Sequence, residues 1–117
     1  MSDHRKPLGN AGETIACGYL EENGYMIRDR NFRTRFGEVD IVAQTRDGIV
    51  VIVEVKTYNN HGIDPRYAIT RKKQQTLWHM ATVYMGIKQL MNTQFRFDLI
   101  TVQGGKVKDH LENIISA

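Results

Sequence analysis

The sequence has little cysteine, no metal-ligand pattern among its histidines and no long apolar run. Its single cysteine, Cys17, excludes an internal disulfide and any cysteine-based zinc site, and it suits a reducing cytoplasm. Spacing typical of metal ligands is absent from the histidines, which are His4, His61, His79 and His110. No apolar run approaches the roughly 18 residues of a membrane span, and residues 1–7 lack a signal peptide's apolar core. We therefore expect a cytoplasmic protein that does not enter a membrane.

Internal repeats, low-complexity tracts and interdomain linkers are also missing. With 117 residues, the chain is expected to form one domain over residues 1–117, with a flexible start over residues 1–8. Lys and Arg number 16 against 13 Asp and Glu, which gives a net charge of +3. This mild basicity fits an anionic partner without requiring one.

Charged residues interrupt the two most apolar stretches of the chain. Asp40 lies inside the run 39–43, and Glu54 and Lys56 close the run 49–56. A buried charge must be paired, protonated or bound to an ion, because burying it alone costs several kcal/mol or more. Two carboxylates beside a lysine indicate a divalent-cation site of the kind used in metal-assisted phosphodiester hydrolysis.

A hairpin between these stretches would bring the charges together. A three-residue loop over 46–48 would place Gly48 at the left-handed position that such turns require. Asp40 would then face Glu54, and Glu38 would face Lys56, with opposed Cβ atoms roughly 4.5–5.5 Å apart. A loop of two or four residues would shift the register and break both pairs.

A solvent-facing ion pair across the strands is the alternative explanation. Such pairs are common and stabilise by well under ~1 kcal/mol when exposed. The near-continuous apolar runs argue against it, because they are typical of strands covered on both faces. The pattern therefore favours a buried site.

The order of elements predicts an α/β sandwich with a mixed sheet. A first helix is expected from Asn10, which would open a capping box with Glu13, to residues 23–24. The other predicted elements are strands at 25–33, 37–44 and 49–58, a loop at 61–65, a helix at 70–91, a strand at 95–102 and a short final strand. One stripe along the second helix is formed by Lys73, Leu77, Met80, Tyr84, Ile87 and Met91.

Glu13 is a second candidate for the site. Its neighbours on the same helical face are apolar, namely Ala16, Cys17 and Leu20. That face is expected to pack on the sheet, which would bring the carboxylate near the strands. Capping is the alternative, since an acid in the first turn stabilises a helix by roughly 0.3–1 kcal/mol.

Basic residues precede the site strand and open the second helix. They are Arg28, Arg30, Arg33 and Arg35, followed by Arg71, Lys72 and Lys73. They are either phosphate contacts or simply solvated charges. The large side chains of the second helix, Trp78, Met80, Tyr84 and Met85, are interpreted as core or dimer contacts. No base-specific signature is present, so recognition would favour backbone and shape.

Ordered motifs along residues 8–103 resemble the YraN-like bacterial proteins. The motifs are Asn10-Ala11-Gly12-Glu13, Gly24-Tyr25, Arg30-Asn31-Phe32-Arg33, Gly37 to Ala43, Val53-Glu54-Val55-Lys56 and Arg96-Phe97-Asp98. That family is grouped with the PD-(D/E)xK restriction-endonuclease-like fold and is similar to archaeal Holliday junction resolvases. The resemblance implies an αβββαβ core and a nuclease-like site.

The resemblance also implies roles for individual residues. Asp40 matches the motif's aspartate, Glu54 its second acid and Lys56 its lysine, while Glu13 matches a helix glutamate that joins the metal shell in resolvase-like relatives. Asp40, Glu54, Glu13 and the main-chain carbonyl of Val55 would hold Mg²⁺ or Mn²⁺, and Lys56 would orient the attacking water. Arg33, Arg35, Lys72 and Lys73 would contact DNA. Lys73-Gln74 match a recurrent pair of the family, whereas Val39 replaces the motif's proline and Tyr58 stands where many members have arginine.

Three hypotheses follow from the sequence. The first is a metal-dependent endonuclease acting on DNA, branched or damaged DNA included. The second is a module that binds nucleic acid without cutting it. The third is a scaffold whose charges close an internal ion-pair network. A homodimer is left open, because cutting both strands of a junction would favour a symmetric pair of sites.

Overall fold

A five-stranded mixed sheet with one helix on each face forms the fold. The computed structural model describes residues 7–58 and 69–115. Its elements are α1 (Pro7–Glu22), β1 (Met26–Thr34), β2 (Gly37–Gln44), β3 (Val50–Tyr58), α2 (Arg71–Ile87), β4 (Phe95–Gln103) and β5 (Lys106–Leu111). Strands follow the order β1-β2-β3-β4-β5; β3 and β4 are parallel and the other pairs antiparallel. The predicted α/β class and αβββαβ order are confirmed.

Two predicted segments lie wholly or mostly outside the residues that the structure describes. The loop predicted at 61–65 lies outside the described residues, as does most of the flexible start predicted over 1–8. Helix α1 begins within that start, at Pro7.

Each face of the sheet carries its own apolar core. The core under α1 contains Leu20, Ile41 and Val53, and the core under α2 contains Val42 and other strand residues packed on that helix. Strands β2 and β3 are covered on both sides, which explains their near-continuous apolar sequence. Glu54 is the charged residue of these two strands that is buried among the apolar side chains.

The β2–β3 hairpin has the predicted register. Val42 pairs with Ile52 and Ala43 with Val51, and the Thr45 N–H donates to the Ile49 carbonyl at 2.9 Å. Gly48 has φ +96°, the left-handed conformation expected at the end of a three-residue loop. The loop length on which the pairing of Asp40 with Glu54 depended is confirmed.

Helix α1 starts earlier than predicted, which changes the interpretation of Glu13. It begins at Pro7, whose fixed φ suits the first helical position, and not at a cap on Asn10. The first turn contains no acidic residue, so Glu13 cannot act there as a capping acid. The alternative explanation of Glu13 was wrong.

Helix α2 ends earlier than predicted, at Ile87 and not near Met91. Gln89 adopts φ +60°, and the Leu90 N–H donates to the Met85 carbonyl at 2.7 Å. This is a Schellman motif with glutamine in the position that glycine usually takes, so the sequence carried no ordinary stop signal. Beyond Tyr84 the predicted stripe fails, because Ile87 and Met91 are exposed.

Candidate active site

The candidate site lies where β2 and β3 separate. Their ladder ends at the pair Ile41 and Val53, one residue short of Asp40 and Glu54. At that point the Asp40 Oδ2 accepts the Val55 N–H at 2.8 Å, so a side chain replaces the next backbone partner. In an antiparallel strand the N–H and C=O of one residue face the same neighbour. The Val55 carbonyl therefore faces the opening as well.

Asn31 lies opposite Asp40 on β1, between the pairs Arg30–Ile41 and Phe32–Val39. It adopts φ +54°, a left-handed conformation that asparagine tolerates better than most residues. The regular pleat is lost here. Residues two positions apart in a strand normally point to the same face of the sheet, but Val39 packs in the α2 core and Ile41 in the α1 core. The irregularity gives Asp40 access to groups from both helices.

Glu54 is buried, with 5% of its surface exposed, and is flanked by two lysines. Lys73 Nζ of α2 lies 3.3 Å from Glu54 Oε2, and Lys56 Nζ lies 3.8 Å from the same oxygen. Both cations therefore gather on one oxygen of the carboxylate. The other, Oε1, is buried without a hydrogen-bond partner.

Glu13 reaches the same opening from α1. Its helical neighbours Ala16, Cys17 and Leu20 are buried, as predicted, and Glu13 itself is 7% exposed. Its Oε1 is buried without a hydrogen bond; Arg30 Nη2, at 3.9 Å, is close enough for attraction only. Glu13 is thus held against the sheet with one oxygen unused.

Burial raises the pKa of all three acids, and the charge of Asp40 adds to the shift of the two glutamates. Burial, the charge of Asp40 and a hydrogen bond to Asp40 raise the pKa of Glu13 to about 7, although Asn31 and Arg30 oppose the shift. Burial and then the charge of Asp40 raise the pKa of Glu54 to about 7, against the pull of both lysines. Burial also raises the pKa of Asp40, with the Val55 N–H opposing it. The positive charge near these carboxyls is therefore too weak to offset the cost of burying them in ionised form.

A hard cation fits the donor chemistry of this opening. The available groups are carboxylate and carbonyl oxygens, which Mg²⁺ and Mn²⁺ prefer, and two of the carboxylate oxygens have no hydrogen-bond partner. The fit is incomplete: within residues 7–58 and 69–115, no three acid, histidine or cysteine side chains stand close enough together to hold a metal ion. An ion would have to draw the acids together or retain waters as ligands.

The basic residues predicted to contact DNA occupy different surroundings. Arg33 pairs with Glu38 at 3.2 Å, and the Arg35 guanidinium lies over the Phe36 ring. Lys72 is exposed, whereas Lys73 turns inward to Glu54. Lys73 was expected only to contact phosphate. Its place in the recurrent Lys73-Gln74 pair was the one sequence signal that it could also belong to the site beside Glu54.

A third buried acid, Asp98 on β4, belongs to a complete network that the sequence did not predict. Its carboxylate accepts from Arg96 Nε at 3.0 Å and from the Asn113 N–H at 3.0 Å, and it lies 2.7 Å from His110 Nε2. Arg96 also donates to the Tyr25 hydroxyl at 2.7 Å. Hydrogen bonds from these groups lower the pKa of Asp98 despite its burial.

Comparison with known proteins settles the family. Residues 12–102 match the family described as "Uncharacterised protein family UPF0102". The chain belongs to this family. The resemblance to YraN-like proteins found in the sequence is thereby confirmed.

Similar UPF0102 proteins occur in several bacteria. One from Geobacter metallireducens is 40% identical over an alignment of 119 residues, which covers 100% of this chain and 96% of the relative. One from Geobacter sulfurreducens is 46% identical, covering 86% of this chain and 79% of the relative. One from Clostridium tetani is 40% identical, covering 87% and 84%.

Solved structures show weaker likeness. The structure of an EndoMS–dsDNA complex aligns with a TM-score of 0.47 and 15% identity, covering 90% of this chain and 43% of that chain. A repair endonuclease from Pyrococcus abyssi aligns with a TM-score of 0.44 and 17% identity, covering 86% and 40%. This chain therefore spans less than half the length of either protein.

Among its described residues, no helix is long and apolar enough to cross a membrane.

Proposed function

We propose that this chain is a metal-dependent nuclease that hydrolyses DNA phosphodiester bonds, with branched or damaged DNA as candidate substrates. One observation carries the proposal: Glu13 and Glu54 each bury a carboxylate oxygen without a hydrogen-bond partner, and both feel the charge of Asp40. A scaffold would be expected to satisfy such groups, because leaving them unpaired costs about 1–3 kcal/mol or more each. A bound cation would supply the missing partner.

Asp40, Glu54, Glu13 and the Val55 carbonyl would hold Mg²⁺ or Mn²⁺. When bound, such an ion supplies positive charge against the negative charge that builds on the phosphate during hydrolysis. The Asp40 carboxylate accepts the Val55 N–H, which fixes its orientation before any ion arrives. Glu13 would complete the set through water or a second ion.

Lys56 would orient the attacking water. Its ammonium group lies 3.8 Å from Glu54 Oε2, and 41% of its side chain is exposed, so it can reach both the carboxylate and an incoming substrate. Its positive charge favours the hydroxide form of that water. Lys73, closer to Glu54 and less exposed, would chiefly neutralise the acid.

A module that binds nucleic acid without cutting it is the second candidate. Exposed cations, Arg35 and Lys72 among them, favour it independently of the acids. Binding through phosphate contacts would weaken steeply with salt. Such a module would bind DNA equally well without divalent ions and would yield no product.

Cleavage of linear, flapped and four-way DNA with Mg²⁺ or Mn²⁺ separates the two candidates. We expect metal-dependent product, and we expect Lys56→Ala to slow cutting by about 100-fold or more, the usual effect of losing one transition-state contact. Its Mn²⁺ affinity, measured by calorimetry, should change little. Lys108→Ala, an exposed lysine on β5, is the control with the same charge change.

Equal losses of cutting and of metal affinity in Lys56→Ala would contradict the role assigned to this lysine. Binding without product on every substrate would favour the module. Paired cuts in a junction would require two sites, which a twofold homodimer would supply; sedimentation of the DNA complex measures that.

A further inference from the structure

We propose that Phe36, at the tip of the β1–β2 hairpin, is a stacking platform for an unpaired nucleobase of the bound DNA. The proposal rests on the nucleic-acid partner of the proposed function and adds the substrate class: DNA with a base outside the duplex stack. Half of the Phe36 surface, 50%, is exposed. The exposed part of the ring lies beside the His79 ring and the Arg35 guanidinium.

Contacts with α2 hold the hairpin tip in place. A Cβ added to Gly37 would lie 2.9 Å from Thr76 Cγ2, so the backbone approaches the helix more closely than other residues permit. The Thr34 hydroxyl lies 3.1 Å from Met80 Sδ and accepts the Phe36 N–H at 3.0 Å. The ring is thus exposed on a fixed support, which lowers the entropy cost of binding.

Aromatic and cationic groups surround the ring. His79 meets Phe36 edge to face with ring centroids 4.3 Å apart, and the Arg35 guanidinium lies 5.0 Å from the Phe36 centroid. Single exposed apolar residues are ordinary on protein surfaces. An aromatic ring beside a guanidinium, however, matches a base and its phosphate, because single-strand binding combines stacking with positive charge.

The position of the platform also fits a substrate that enters the carboxylate opening. Lys73, which contacts Glu54, and His79 are both on α2, six residues and therefore about 9 Å apart along the helix axis. That length corresponds to two or three stacked nucleotides at about 3.4 Å each. Exposed Arg71 and Lys72 add positive charge at the same end of α2. A strand whose phosphate enters the opening would place a nearby base on Phe36.

A duplex with one bulged 2-aminopurine tests the platform in EDTA, where no cutting occurs. Binding should quench the fluorescence of the bulged base. Phe36→Leu should reduce affinity for the bulged duplex roughly 5- to 100-fold and abolish the quench, while Phe36→Trp retains both. Affinity for a perfect duplex should change less than twofold. Ile87→Ala, which changes another exposed apolar residue outside the hairpin, is the control.

Unchanged affinity and quench in Phe36→Leu would overturn the platform, whether or not the wild type cuts DNA. Loss of self-association in Phe36→Leu, seen by sedimentation without a change in DNA binding, would also overturn it in favour of a contact between copies. Because the assay contains no divalent ion, failure of the nuclease proposal alone would leave the quench intact. Circular dichroism checks that each variant is folded.

Discussion

Glu54 and Asp98 are buried acids on adjacent parallel strands, yet their surroundings are opposite. Asp98 pairs in register with Val53, the residue before Glu54. Arg96, His110 and a backbone N–H satisfy the Asp98 carboxylate, and its pKa is lowered. Glu54 keeps one oxygen unpaired, and its pKa is raised to about 7. The fold satisfies one buried acid and leaves the other unsatisfied, and the unsatisfied one is where the proposed cation would bind.

The largest expected difference between the two acids is in folding stability. Asp98→Asn removes the charge that Arg96 and His110 surround, and breaking such a buried network should cost about 3–5 kcal/mol in the free energy of unfolding. Glu54→Gln should cost nothing at neutral pH. Urea denaturation measures both, with the exposed acid variant Glu22→Gln as control. A loss below about 1 kcal/mol for Asp98→Asn would remove the contrast.

The pH dependence of stability should differ in sign. The raised pKa of Glu13 and Glu54 means that, between the ordinary value of 4.5 and about 7, the folded state holds protons that the unfolded state releases. These acids therefore destabilise the fold as pH rises through that window, whereas Asp98, with its lowered pKa, stabilises it above its unfolded pKa and loses that contribution in acid.

Glu54→Gln should accordingly stabilise the metal-free protein at pH 8 by about 3 kcal/mol and have little effect at pH 4.5. Thermal unfolding at both pH values, in EDTA, measures this. Equal effects of Glu54→Gln at both pH values would show that the acid is not protonated in that window.

Metal binding should change the free energy of unfolding by less than these substitutions do. Mn²⁺ at ten times its dissociation constant should stabilise the wild type by about 1.4 kcal/mol, more at pH 8 than at pH 6 because protons compete for the acids. Asp40→Asn should lose this gain, while Glu22→Gln should keep it. Saturable stabilisation that survives in Asp40→Asn would place the ion elsewhere.

Local patterns predicted most of the fold and part of the site. The three-residue loop set the register because Gly48 provides a conformation that few residues adopt, and apolar runs identified strands covered on both faces. The sequence did not show that Gln89 would end α2, because its left-handed conformation depends on packing of the following residue. Nor did it show that Asn31 would break the pleat opposite Asp40.

Side-chain partners across the fold were the hardest to predict. Lys73 reaches Glu54 only because α2 crosses the sheet at that point, and no spacing within α2 encodes that crossing. The Asp98 network joins residues from α1, β4, β5 and the segment after β5, so its motif Arg96-Phe97-Asp98 looked like an ordinary strand. Both depend on how the elements pack together.

The bond between Asp40 and the Val55 amide has a consequence for interpreting sequence variation. An acceptor at position 40 closes the frayed end of the hairpin, so a relative without the proposed hydrolysis would still gain by keeping aspartate or asparagine there. Glu54 closes no backbone gap of this kind, and its unpartnered oxygen weakens the metal-free protein. Among related proteins, glutamate at position 54 should therefore be the sharper marker of the proposed chemistry, and an uncharged residue there should accompany a purely structural or binding role.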